Sequence, residues 1–157
     1  MYDNLRVGVT FSAFDLLHAG HILMLEEAKD TCDILVACLQ IDPSRERKEK
    51  NKPVQSLQER RIQLEAVKFV DKVIIYDTEE EILEILETLM PDVRIIGEEY
   101  AHKDFTGKQY CLDNDIYIHY NSRNHSYSSS VLRERVVKAE QEEKEKKTKR
   151  AWHGDRW

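Results

Sequence analysis

The sequence predicts an α/β domain built on a parallel sheet of about five strands in the order 3-2-1-4-5, with helices packed against it. Three observations predict it. Short apolar runs alternate with amphipathic stretches along the chain. Several of those runs are rich in Val and Ile and continuously apolar, the pattern of strands buried on both faces. Capping-box signals stand at two of the intervening helix starts. Strands alternating with helices give a sheet wound by right-handed crossovers, the doubly wound or Rossmann-like arrangement.

The strand candidates are residues 5–12, 32–40, 72–76, 93–97 and 116–120, and the helix candidates between them are 19–30, 57–69, 79–89 and a shorter 108–113. Ser56 with Glu59, and Thr78 with Glu81, each place a hydroxyl three residues before a glutamate, so side chains and free backbone N–H groups satisfy each other. A last helix begins near Ser128 and runs through Val137. Residues 140–150 are nearly all charged. Glu140 and Lys144, Glu142 and Lys146, Glu143 and Lys147, and Glu145 and Lys149 stand four apart in the favourable orientation. The expected division is one domain over 1–138 and a charged helical or disordered tail over 139–157, whose last residues, 151–157, hold both tryptophans.

A chain of 157 residues is long enough for one domain with a real core. No apolar run reaches membrane-spanning length, and no basic segment followed by an apolar stretch opens the chain, so neither a membrane segment nor a secretory signal is expected. Cys32, Cys38 and Cys111 are three thiols that cannot all pair internally, which points to a reducing, cytoplasmic setting. The net charge of −6 argues against a nucleic-acid partner. It leaves room for a local basic site that takes a nucleotide.

In such a sheet, ligands sit beyond the C-terminal ends of the strands, so the residues after each strand carry the functional reading. After the first strand comes Ser12-Ala13-Phe14-Asp15-Leu16-Leu17-His18-Ala19-Gly20-His21. Two histidines spaced by three at a helix start share one side of it. A helix N-terminus offers free N–H groups and the positive end of the dipole, suited to phosphate. Two imidazole donors there could stabilise oxygens that gain charge in a displacement. Taken alone, the pair fits plain helix caps equally well. A metal site is disfavoured, because no third and fourth ligand follow at a recognisable spacing.

The segment from Phe14 to His21 resembles the signature of the cytidylyltransferase-like nucleotidyltransferases, which carry His-x-Gly-His after a Gly-Thr-Phe-Asp turn. Among them it is most similar to the glycerol-3-phosphate cytidylyltransferase group. The resemblance spans residues 7–137. One departure is that Ser12-Ala13 stands where the family has Gly-Thr, whose backbone meets the nucleotide phosphates. The resemblance implies nucleotide contacts for Ser12, Ala13, Phe14, His18 and His21. It also implies acceptor contacts for Asp15, and a homodimer.

After the second strand, residues 45–52 hold five Lys or Arg against two Glu. A solvated loop is one reading and a mobile arm over phosphates the other. The resemblance implies that lysines of this loop contact the phosphorylated acceptor, with Lys48, Lys50 and Lys52 as the candidates and the choice among them left open. It implies the same for Arg60, a cation that opposes the dipole of the helix it opens. After the fourth strand, Gly97 and Glu98 match a glycine and an acidic residue near the nucleotide sugar or base, with Glu99 an alternative to Glu98. After the fifth, Ser128, Ser129 and Ser130 open a helix with a hydroxyl cluster suited to phosphate. They match the family stretch that binds the triphosphate tail. Arg123 matches an arginine ahead of it, and Tyr127 replaces an aliphatic residue.

The expected reaction is an in-line displacement at the α-phosphorus of CTP or ATP by a phosphate oxygen of a small-molecule acceptor, releasing pyrophosphate. His18, His21, Arg123 and Ser129 are expected to carry it, with Mg²⁺ bridging the substrate phosphates. Transfer of AMP to FMN, phosphopantetheine or nicotinamide mononucleotide is the alternative with the same chemistry. A nucleotide-binding module without catalysis is the alternative of another class. An aminoacyl-tRNA synthetase fragment shares the histidine-glycine-histidine logic, but the chain is too short for it and has no basic surface.

Overall fold

The computed structural model describes residues 4–154. Its centre is a five-stranded sheet in the order β3-β2-β1-β4-β5. The strands are β1 (Val7–Ser12), β2 (Ile34–Gln40), β3 (Lys72–Tyr76), β4 (Val93–Gly97) and β5 (Tyr117–Asn121). Every neighbouring pair is parallel. The helices are α1 (Ala19–Lys29), α2 (Leu57–Glu65), α3 (Glu79–Leu89), α4 (Lys108–Asp113) and α5 (Ser129–Gly154), with two short 3₁₀ turns at Pro43–Arg45 and Glu98–Tyr100.

β2 shows why the sheet is buried on both faces. Leu35, Ala37 and Leu39 join a cluster with Phe14 and with Leu25 and Ala28 of α1, while Val36 and Cys38 join another with Ile82 and Leu86 of α3. The two-residue period of a strand sends alternate side chains into these two cores, so a continuous apolar run is required. Both predicted capping boxes form, Ser56 with Glu59 and Thr78 with Glu81.

Boundaries differ from the sequence expectation where side chains replace the regular ladder. β1 starts at Val7 rather than residue 5, because the N–H groups of Arg6 and Val7 donate to the carboxylates of Asp33 and Asp92, each at 2.7 Å. α2 stops at Glu65 rather than 69. There Val67 N–H turns to Leu64 O and Val70 N–H to Val67 O, which drops Val67 into the core. α5 runs unbroken through residue 138 to Gly154. Of the four expected tail pairs, Glu140 with Lys144 and Glu143 with Lys147 form, at 3.2 and 3.9 Å. Trp152 is exposed; Trp157 lies outside the described residues.

Adjacency of β1 and β4 sets the site. Consecutive strands run outward to β3 on one side and to β5 on the other, so their C-terminal loops part above β1 and β4 and leave a crevice.

Candidate active site

The crevice is a cleft of about 300 Å³. It takes residues from the ends of β1, β2, β4 and β5 and from the starts of α1 and α5. His18, His21, Arg123, Ser128 and Ser129 line it together, although more than 100 residues separate its two ends in sequence. Ser129 Oγ donates to Asp15 O at 3.3 Å, tying the start of α5 to the turn after β1.

That turn has an unusual backbone. Phe14 (φ 45°) and Leu16 (φ 50°) are both left-handed, a conformation costing about 1 kcal/mol or more for a residue with a Cβ. Surrounding contacts hold it in place. The Phe14 ring is buried in the core. Leu16 N–H donates to Gln55 Oε1 at 2.8 Å. Between them the Asp15 carboxylate accepts from Val54 and Gln55 N–H, each at 3.0 Å, and from Arg133 Nη2 at 2.8 Å. Burial alone would raise the Asp15 pKa, but the two backbone donors and Arg133 outweigh it and hold the carboxyl below its usual range.

The strained turn delivers the histidine pair as a capping box. His18 Nδ1 accepts from Gly20 N–H at 3.0 Å, and His21 Nδ1 accepts from His18 N–H at 3.3 Å. The rings stack with centroids 3.9 Å apart. Burial, then His18 and Arg123, push His21 down to about 3; burial, then His125 and Arg123, push His18 below its ordinary value. Both rings are therefore neutral at pH 7. With each Nδ1 accepting, the hydrogen-bond network assigns the proton to Nε2. Cap and phosphate donor, the two readings of this pair, are thus compatible: one nitrogen holds the helix and the other is left for the cleft.

Ser12, Ala13, Gly97 and Tyr127 also line the cleft, whereas Phe14 sits in the core beneath it, its ring tilted against His21 at 5.7 Å between centroids. Ser128 Oγ accepts from Val131 N–H at 3.2 Å as the α5 cap, and Ser130 is exposed outside the cleft.

Besides Phe14 and Ser130, which were expected at the nucleotide and lie outside the cleft, four more expectations change. Arg60 was expected at the acceptor phosphate. It is 2% exposed, and its guanidinium donates to the carbonyls of Ala13 (2.9 Å), Gln40 (2.7 Å), Ile41 (2.7 Å) and Gln55 (3.3 Å). Four of its five N–H groups are engaged, so it fixes the strand ends rather than a ligand. Asp15, also expected at the acceptor, is 8% exposed and its carboxylate is occupied by the turn. Glu98 was expected at the sugar or base. It instead accepts from Arg123 N–H at 2.8 Å, and Glu99 lines the cleft, pairing with Arg123 Nη2 at 2.7 Å. Of the loop lysines, Lys50 lines the cleft and Lys48 and Lys52 do not.

The sequence reading missed Arg47, Gln40, Asn121 and His125, all on the cleft wall. Arg47 belongs to the basic run already singled out, and its Nε lies 3.5 Å from Glu79. Gln40 and Asn121, polar residues that end β2 and β5, are 1% and 2% exposed. For Gln40, a polar residue closing the otherwise apolar β2 was the available signal.

A doubly wound sheet whose switch-point crevice joins a neutral imidazole pair to a hydroxyl-rich helix start defines a nucleotide-handling α/β domain. Comparisons with known proteins agree. The cytidylyltransferase-like family model matches residues 9–135. The bifunctional protein HldE of Campylobacter fetus is 40% identical over 102 residues, covering 64% of this chain and 22% of that protein. HldE of Koribacter versatilis is 42% identical over 105 residues, covering 66% and 21%. The chain thus spans about a fifth of the length of these relatives. A lipopolysaccharide core biosynthesis protein from Thermoplasma volcanium superposes with a TM-score of 0.64 at 22% identity, covering 77% of this chain and 99% of that one, which shows a shared fold. The chain belongs to the cytidylyltransferase-like family and is a nucleotidyltransferase domain. No helix among the described residues is long and apolar enough to cross a membrane.

Proposed function

We propose that this domain transfers CMP or AMP from CTP or ATP to a phosphorylated small-molecule acceptor. A phosphate oxygen of the acceptor attacks the α-phosphorus, a new P–O bond forms, and the bond to the β-phosphate breaks to release pyrophosphate. The observation that carries the reading is the pair of neutral imidazoles, each bonded to backbone through Nδ1, on the same cleft as Ser128 and Ser129.

In this reading, the Nε2–H groups of His18 and His21 donate to the α-phosphate oxygens as charge builds on them. Neutral donors fixed before the reaction lose nothing to reorganisation. Arg123, Ser128 and Ser129 take the departing pyrophosphate, and Arg47 and Lys50 the acceptor phosphate. Mg²⁺ would be supplied with the nucleotide and would offset the charge of its phosphates. Among the described residues no group of three or more His, Cys, Asp or Glu is placed to hold a metal ion. Glycerol 3-phosphate heads the acceptors because of the sequence resemblance. Sugar phosphates follow, because the Thermoplasma protein is described as acting in lipopolysaccharide core biosynthesis.

The test is pyrophosphate release from CTP and from ATP against a panel of glycerol, sugar, choline, flavin and pantetheine phosphates. One nucleotide–acceptor pair is expected to turn over, and His18→Ala to lower its kcat by about 100-fold or more, the scale of losing one oxyanion donor. Absence of pyrophosphate with every pair, while nucleotide still binds, would establish the non-catalytic module instead.

A further inference from the structure

Besides His18 and His21, a third imidazole lines the cleft: His125, in the irregular loop between β5 and α5. Its neighbours hold it in place. Ser122 N–H donates to Glu27 Oε1 at 3.1 Å, and Arg123 N–H to Glu98 Oε1 at 2.8 Å, so the chain just before it is pinned twice. On the other side its ring stacks on Tyr127, with centroids 5.4 Å apart.

The ring leans on the same spot as His18. A Cβ placed on Gly20 would lie 2.9 Å from His18 Cε1 and 3.0 Å from His125 Cε1. The two imidazoles, one from each end of the sequence, thus meet over one bare Cα at the start of α1.

The nitrogens of His125 are not equivalent. Nδ1 is sealed from solvent and has no hydrogen-bond partner. An unpaired buried acceptor is tolerated better than an unpaired buried donor. With Nδ1 enclosed by the protein, Nε2 is the nitrogen left to meet a ligand. In His18 and His21 too Nε2 is the nitrogen left over, their Nδ1 atoms being occupied by backbone.

We propose that His125 is a third substrate-contacting imidazole of this cleft, donating from Nε2 to the pyrophosphate portion of a bound nucleoside triphosphate. The inference rests on the nucleotidyltransfer reading. The pyrophosphate end is assigned because His125 lies in the segment between Arg123 and Ser128, the residues given to the departing pyrophosphate above. Gly20 then has a defined purpose: it is the gap through which both rings approach the phosphates.

The experiment compares wild type, His125→Ala and His125→Gln by calorimetric titration with inorganic pyrophosphate, CMP and AMP in magnesium-containing buffer. Thermal melts of the free proteins confirm folding. His125→Ala is expected to weaken pyrophosphate about 10-fold, the scale of one hydrogen bond to a charged group. CMP and AMP should stay within about 2-fold, since only the pyrophosphate contact is removed. His125→Gln should recover part of the loss, because its amide N–H reaches near the Nε2 position. Wild-type pyrophosphate affinity in His125→Ala overturns the inference. So does an equal loss for pyrophosphate and the monophosphates, the mark of a collapsed loop. A wild-type chain that binds pyrophosphate but releases none from CTP or ATP defeats the transfer reading alone. One that binds no pyrophosphate defeats both.

Discussion

Replacing Arg60 by Met separates a structural cation from a ligand-binding one. Arg60 donates to four backbone carbonyls belonging to the β1 turn, the end of β2 and the approach to α2. The bond to Gln40 O is fully buried and the other three are partly buried. A buried acceptor left unpaired costs about 1–3 kcal/mol, and partly buried ones, which water can reach, nearer 0.5–1 kcal/mol each. The sum is about 4 kcal/mol, a large share of the roughly 5–15 kcal/mol that holds a domain of this size together. At about 2–4 °C per kcal/mol, melting should fall by roughly 10 °C. Differential scanning calorimetry measures this directly, and acceptor KM at a temperature where the variant stays folded reads the other possibility. A variant with wild-type melting and a selectively raised acceptor KM would refute the structural assignment and restore Arg60 to the substrate.

Gly20→Ala should separate stability from turnover. A first-turn alanine has better helix propensity than glycine by up to about 1 kcal/mol, yet its Cβ would crowd the rings of His18 and His125. Melting should move by about 3 °C or less while kcat drops at least about 10-fold; retained turnover would show that the two rings need not meet there. Acid should destabilise the fold through His21. Its folded-state pKa of about 3 lies below the ordinary 6.5, so the unfolded chain takes up the proton first. The contribution is intact above pH 6.5 and is lost progressively as pH falls from there toward 3. Between pH 7 and 5.5 this amounts to about 1 kcal/mol. Urea midpoints for wild type and His21→Asn should diverge less at pH 5.5 than at pH 7; parallel pH profiles would remove His21 as the source.

Sequence alone determined the fold class and pointed to candidate residues at the helix starts. A parallel, doubly covered sheet followed from Val- and Ile-rich runs alternating with helices, and the order 3-2-1-4-5 from the doubly wound arrangement that such a pattern resembles. The helix starts at Ser56 and Thr78 were legible because a capping box is a local device, complete within four residues. His18, His21 and Ser129 stood out because each lies at a helix start that follows a strand, and the family resemblance gave them their candidate roles.

Tertiary structure decided everything that depends on which groups meet across the chain. Arg60 reads as an exposed cation in a helix's first turn, but packing of α2 under the strand ends turns it onto carbonyls as distant in sequence as Ala13. Asp15 reads as a ligand contact, but Val54, Gln55 and Arg133 converge on it. His125 carries no local signal, and only the approach of the β5–α5 loop to Gly20 makes it part of the site. The physical reason is common to all three. Backbone propensity and hydrophobic period are short-range and survive in a sequence read alone. The partner of a charged or titratable side chain is set by burial and by hydrogen-bond satisfaction between segments that are near only once the sheet has formed.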